Sequence, residues 1–178
     1  MAKGRITKER WKQWEERKKL ILSADFRLAD TGETREARIE RARKDYQYFV
    51  ETYFPHLCTN KETGEITRCG KFQLDAAKYL KAHRHTRAVF EWARGHAKST
   101  HISLLIPIWL MVQEARTIHV MVLVSKSEDS ADRLLSDLQC ELQYNTLLRA
   151  DFGIEIDEGS WSIGEFKTKD GMLFMALG

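Results

Sequence analysis

The 178-residue chain has few cysteines, few prolines and almost no net charge. Its thiols, Cys58, Cys69 and Cys140, are too few and too scattered for a disulfide framework and fit a reducing compartment. No C-x2–4-C spacing joins them, so a zinc site built from Cys58, Cys69, His83 and His85 lacks sequence support. The longest apolar run, Ile102 to Val112, is too short to cross a bilayer, and Ser103 interrupts it. No membrane association is expected. The first twenty residues are charged throughout, so no secretory leader is expected either. There is no internal repeat and no low-complexity segment. A net charge of +3 by itself says nothing about nucleic acid, but its distribution is uneven. Residues 1–50 hold 14 Lys/Arg against 9 Asp/Glu, a net of +5, and the remainder hold 15 against 17, a net of −2. A basic front suits a place near DNA and suits equally a solvated helix surface.

What is present is a globular composition, 43% apolar and 10% aromatic, in a chain long enough to bury a core. Lys8 to about Ala24 reads as a helix bearing Trp11, Trp14, Ile21 and Leu22, and Asp30-Thr31-Gly32 reads as a turn. Glu36 to Tyr53 is a stronger helix, with Ile39, Ala42, Tyr46, Phe49, Val50 and Tyr53 at three-four spacing. Pro55 closes it, because the residue before proline avoids helical angles. Cys58 to Gly70 reads as a loop or short hairpin. Phe72 to Ala82 reads as a helix with Phe72, Ala76, Tyr79 and Leu80 on one side.

The pattern then changes. Ala88 to Trp92 is expected to be a strand, and Lys98 to Gln113 a helix apolar nearly all round, bent at Pro107. Thr117 to Val124 is a near-continuous apolar run of the kind buried on both faces of a parallel sheet. Ser125-Lys126-Ser127-Glu128 can form a capping box for a helix with Ala131, Leu134, Leu135, Leu138 and Leu142 on one side. Gly159–Thr168 and Met172–Leu177 read as two shorter strands around the turn Asp170-Gly171.

Between the first expected strand and its helix lies Trp92-Ala93-Arg94-Gly95-His96-Ala97-Lys98-Ser99-Thr100. A strand, a small-residue turn with a Lys-Ser pair and an apolar helix together form the arrangement that cradles nucleotide phosphates. Amides of the turn and the positive helix end face the phosphate oxygens, the lysine adds a full charge and the serine hydroxyl can hold Mg²⁺. The pattern G-x-x-x-x-G-K-[ST] is met only in its last two positions, because Trp92 and Ala97 stand where its glycines belong. The same residues also suit an ordinary strand-to-helix loop with an exposed lysine. On the phosphate reading, Lys98 serves the β and γ phosphates, Ser99 serves Mg²⁺, and the amides from Gly95 through His96 and Ala97 to Ser99 form the cradle, with Thr100 just behind. The expected fold is α/β, a P-loop NTPase-type parallel sheet flanked by helices.

Phe90 to Thr100 resembles the deviant phosphate-binding turn of the large terminase subunits of tailed phages and prophages, ATP-driven motors that pack DNA into capsids. That family often carries an arginine at the start of the turn and a small residue before the lysine. Phe49-Val50-Glu51-Thr52-Tyr53-Phe54-Pro55-His56 resembles the aromatic-Pro-His stretch ahead of the family's ATPase core. Phe72-Gln73, 25 residues before Lys98, is similar to its adenine-recognising glutamine motif. Leu147 to Gly153 and the terminal Ala176-Leu177-Gly178 are also family-like. The resemblance spans roughly residues 40–178 and implies a helical amino-terminal subdomain over 1–57 and the front of a P-loop ATPase core over 58–178. It implies that Arg94 reaches the γ-phosphate and, with Lys98, serves catalysis. It implies that Gln73 hydrogen-bonds adenine beside Phe72, which as a residue type suits simple helix core equally well. It further implies ATP and Mg²⁺, double-stranded DNA, a small terminase subunit and a portal protein as partners, a homo-oligomer, and the host cell cytoplasm.

The family's water-activating strand ends in Asp-Glu. Val120-Met121-Val122-Leu123-Val124 ends instead in Ser125-Lys126, and Glu128 and Asp129 read as acids of a helix's first turn. In terminases the acidic strand follows the stretch matching Ala176-Leu177-Gly178, and a nuclease domain comes after it. The resemblance therefore implies an amino-terminal fragment that hydrolyses little. Two other readings stay open: the front of a helicase-like ATPase, and a binding module with a degenerate phosphate loop.

Overall fold

A computed structural model describes residues 8–24, 26, 32–60, 62–83, 85–116 and 118–178. Asp30 and Thr31 of the expected turn, and Thr117 of the expected strand, lie outside the described residues. In chain order the elements are α1 (Lys8–Leu22), α2 (Arg35–Lys44), α3 (Tyr46–Tyr53), α4 (Pro55–Cys58), α5 (Lys71–Ala82), α6 (Lys98–Thr100), a π turn (His101–Leu105), α7 (Ile106–Met111), β1 (Val120–Val124), α8 (Glu128–Tyr144), α9 (Thr146–Phe152), a 3-10 turn (Glu158–Ser160), β2 (Glu165–Lys167) and β3 (Leu173–Leu177). The fold is α/β with one small mixed sheet. No helix among the described residues is long and apolar enough to cross a membrane. The chain divides into two compact units, Met1–Ala24 with Thr117–Gly178 and Asp25–Arg116. The division suggested after residue 57 falls inside the second of these.

In the first unit, the sheet order is β1-β3-β2. β1 runs parallel to β3, from Val120 opposite Leu173 to Val124 opposite Leu177. β2 and β3 form the antiparallel hairpin expected around Asp170-Gly171, but β2 covers only Glu165–Lys167 of the expected strand Gly159–Thr168, whose first residues lie in the 3-10 turn. Phe166 and Phe174 are opposite each other in it and stack with centroids 4.7 Å apart. β1 was expected to be covered on both faces. It is an edge strand instead, and Val120, Val122 and Val124 alternate outward, Val124 with 71% exposure. An apolar run fixes strand propensity but not the number of neighbours a strand obtains.

α8 buries Ala131, Leu135, Leu138 and Leu142 at the expected spacing. Its cap sits two residues later than the capping box placed it, with the Ser127 hydroxyl accepting from the Ser130 N–H at 3.4 Å. Glu128 and Asp129 are first-turn acids, as read. α1 lies on α8 through two arginines spaced two helical turns apart. Arg10 donates to Asp132 at 3.2 Å, and Arg17 donates at 3.1 Å to Glu141, which is buried. Two cations of the basic front thus neutralise carboxylates of their own unit.

In the second unit, the single helix expected from Glu36 to Tyr53 is two helices. Asp45 breaks it, because its carboxylate accepts from the Tyr48 N–H at 3.1 Å and so caps α3. Of the apolar positions read from the spacing, Ala42, Tyr46, Phe49, Val50 and Tyr53 are buried, and Ile39 is only half-buried. Pro55 begins the short α4, where its missing N–H costs nothing. Cys58–Gly70 makes a minimal hairpin through one antiparallel bridge, Thr59 with Ile66. α5 buries Gln73, Ala76 and Ala77 and leaves Phe72 and Tyr79 exposed, so its inner face is the small-residue side.

Ala88–Trp92 is not a strand, and Val89 is 87% exposed. A strand needs a neighbour for its N–H and C=O groups, and no described residue pairs with this stretch. Among the described residues no strand therefore leads into the turn at 92–100. The helical run after the turn exists from Lys98 to Met111, largely buried. A bend was expected at Pro107; what is observed is a change of hydrogen-bonding pattern just before it, where the Ile106 N–H reaches five residues back to the His101 carbonyl. Such π turns accommodate a break in the regular bonding ladder.

Candidate functional site

The phosphate turn and both α5 residues named from sequence lie in the second unit, and the fold brings them together. Gly95 has φ 87° and Ala97 φ 53°, the latter the one non-glycine at positive φ among the described residues. Alternating backbone handedness over Gly95, His96 and Ala97 is the kind of turn whose amides converge on a concavity suited to an anion. The N–H groups of Gly95, Ala97 and Lys98 have no acceptor among the described residues. The His96 N–H makes only a long bond to the Ala93 carbonyl, at 3.4 Å.

Arg94, Lys98 and Ser99 are exposed, and no ion pair or hydrogen bond engages their side chains among the described residues. Two cations and a hydroxyl beside open amides form a site able to take a polyanion. Magnesium carried on a triphosphate keeps mostly phosphate and water oxygens and needs few from the protein. The free Ser99 hydroxyl fits that single-oxygen role. The described residues group no three His, Cys, Asp or Glu side chains that could hold a metal without such a ligand. Thr100 is half-buried behind Ser99.

An aromatic cluster flanks the turn. The Phe72 ring lies edge-on to Trp92 at 5.0 Å and to His96 at 5.5 Å, and keeps 39% exposure. Trp92 in turn meets Phe90 at 6.3 Å and His101 at 6.2 Å. His96 Nδ1 lies 3.1 Å from the Ala93 carbonyl, which makes this histidine part of the turn's own framework. Gln73 is buried, and both ends of its amide are engaged. Oε1 accepts from the Gly70 N–H at 2.8 Å, and Nε2 donates to the His96 carbonyl at 3.0 Å.

Behind the turn, His101 Nδ1 and the Tyr46 hydroxyl are 2.8 Å apart in a buried pair. Burial pushes the imidazole down to about 4 and holds the Tyr46 phenol above its ordinary range. The sequence reading assigned neither residue. The available signal was a histidine three places after Lys98 on an otherwise apolar helix. Cys58 and Cys69, also in this unit, are pushed up by burial to about 11 and about 12, so neither is a thiolate at neutral pH.

Ala97 holds its left-handed conformation against a steric cost of roughly 1–2 kcal/mol. Glycine pays no such cost but gains freedom in the unfolded chain. Ala97→Gly is therefore expected to raise stability by about 0.5–1 kcal/mol in urea unfolding. An unchanged or lower midpoint would mean that the turn is not left-handed there.

Comparison with protein-family models, with curated proteins and with solved structures finds no match to this chain.

Proposed function

We propose that the turn from Arg94 to Thr100 binds the phosphates of ATP with Mg²⁺, and that the chain is the ATP-binding front part of a DNA-packaging motor of the large-terminase kind. The observation that supports the phosphate site is the conjunction of amides at Gly95, Ala97 and Lys98 with two cations, Arg94 and Lys98, all without partners among the described residues. Lys98 takes the β and γ phosphates, Ser99 shares Mg²⁺, and Arg94 neutralises charge on the terminal phosphate. Phe72 offers a partly exposed ring beside the turn for a base. The motor assignment, with double-stranded DNA, a small subunit and a portal as partners and assembly into a homo-oligomer in the host cytoplasm, rests on the resemblance around Phe90–Thr100, Phe49–His56 and Phe72-Gln73.

A second reading is favoured by one observation, the missing strand at 88–92: a phosphate turn kept for binding alone, without hydrolysis. Calorimetric titration with MgATP tests the site itself. Loss of a charged hydrogen-bond donor costs about 1.5–3 kcal/mol, so Lys98→Ala is expected to weaken binding by about tenfold or more. Equal affinity of the two proteins would remove the site. Binding with no DNA-stimulated phosphate release would favour the second reading.

A further inference from the structure

We infer that Gln73 is the positioning residue of the phosphate turn and does not read the base. The inference rests on the phosphate-site reading above and deepens it by assigning where base selectivity does not come from.

Gln73 sits at the third position of α5, where its Oε1 accepts the Gly70 N–H and closes the helix's first turn. That bond fixes the side chain. The opposite end of the same amide then delivers one N–H to the His96 carbonyl, at 3.0 Å. His96 lies between the two left-handed residues, Gly95 and Ala97. Holding the His96 carbonyl inward orients the peptide that joins His96 to Ala97, so the Ala97 N–H is directed away from the clamp. The strained Ala97 conformation needs such an external restraint, because an alanine left alone would relax to negative φ. The Phe72 ring packs on His96 and Trp92 and adds a second contact from α5 to the turn. The amide keeps a second N–H and a second lone pair, but the residue is buried and both of its polar atoms are held by the protein, so it is not free to turn that edge toward adenine.

Gln73→Glu isolates the effect. A glutamate at this position keeps the acceptor for Gly70 and is itself a favoured residue there, so α5 is retained. It loses the donor and sets a carboxylate against the His96 carbonyl. Two measurements follow. Backbone order parameters by NMR, on protein without ligand, are expected to fall at Gly95–Lys98 below about 0.6 while those of α5 stay in the rigid range. Affinities for inorganic tripolyphosphate, MgATP and MgGTP are expected to fall by one common factor, about tenfold. Unchanged order in the turn would overturn the inference, whether or not the protein binds nucleotide. So would a loss confined to ATP with tripolyphosphate unaffected, which would make Gln73 a base reader. If the unaltered protein bound no polyphosphate while the order parameters fell as stated, the clamp would stand and the phosphate-site reading would fail.

Discussion

Trp109→Ala is expected to destabilise the protein by about 4 kcal/mol. Trp109 is 1% exposed. Its ring lies 5.1 Å from that of Tyr46 and carries the Lys81 ammonium 4.7 Å above its centroid. It also closes a helix end. The last carbonyls of a helix have no partner within it, and near the end of α2 the Ala42 carbonyl belongs to a buried residue. The Trp109 indole N–H donates to the Ala42 carbonyl at 2.8 Å, and Lys81 Nζ donates to the Arg43 carbonyl at 2.6 Å. Alanine at 109 therefore opens a cavity and also strips a buried carbonyl of its donor. Trp109→Phe largely separates the two contributions, since it keeps an aromatic ring and much of the volume and loses the N–H, with an expected cost of about 1–2 kcal/mol. Urea unfolding of both variants checks this. Equal costs would mean that the hydrogen bond carries the effect and the packing does not.

The second large effect is a pH dependence traced to His101. Burial lowers this imidazole to about 4 from an ordinary value of 6.5. Between those values the unfolded chain binds a proton that the folded chain refuses. Stability contributed by the neutral imidazole is therefore fully present above about pH 6.5 and is lost as pH falls toward about 4. A shift of this size corresponds to roughly 3 kcal/mol. The groups facing His101 are the Tyr46 hydroxyl and the Trp92 ring, and neither brings a charge that would stabilise an imidazolium. His101→Gln keeps a hydrogen-bonding partner for Tyr46 and removes the titration. Its stability should change less between pH 7 and pH 4 than that of the unaltered protein, by about the same 3 kcal/mol. Parallel profiles would mean that His101 takes up its proton in the folded state. Because His101 follows Lys98 by three residues on the same helical run, phosphate binding is expected to weaken over the same range.

Much of this architecture was legible in local sequence. Helices α1, α5 and α8 were located by apolar spacing, and the β2–β3 hairpin by Asp170-Gly171. Local signals that were present but misjudged explain two differences. Asp45 is a helix-capping residue type, yet unbroken apolar spacing over 39–53 concealed the break it makes. α9 is bracketed by Asn145, whose side chain accepts from the Leu148 N–H, and by Gly153 at φ 63°, a start and stop pair legible from residue type.

Other differences could not be read locally. Whether Ala88–Trp92 finds a strand partner, and whether β1 lies inside a sheet or at its edge, depends on elements distant in sequence. The same holds for the face that α5 buries, where alanines permit close approach and the larger Phe72 and Tyr79 stay outside. The site divides along this line. The turn from Arg94 to Thr100 is contiguous, so its residues could be named directly. The bond from Gln73 to the His96 carbonyl and the pairing of Tyr46 with His101 join residues 23 and 55 positions apart, and only the folded chain reveals them.

The central claim is that open amides at one bend receive a polyanion. Its most direct test is a two-dimensional NMR titration of the 15N-labelled protein with magnesium tripolyphosphate. The amide resonances of Gly95, Ala97, Lys98 and Ser99 should move saturably and together, while those of α8 and the sheet stay in place. Shifts scattered over surface lysines, or none at these four amides, would contradict the account.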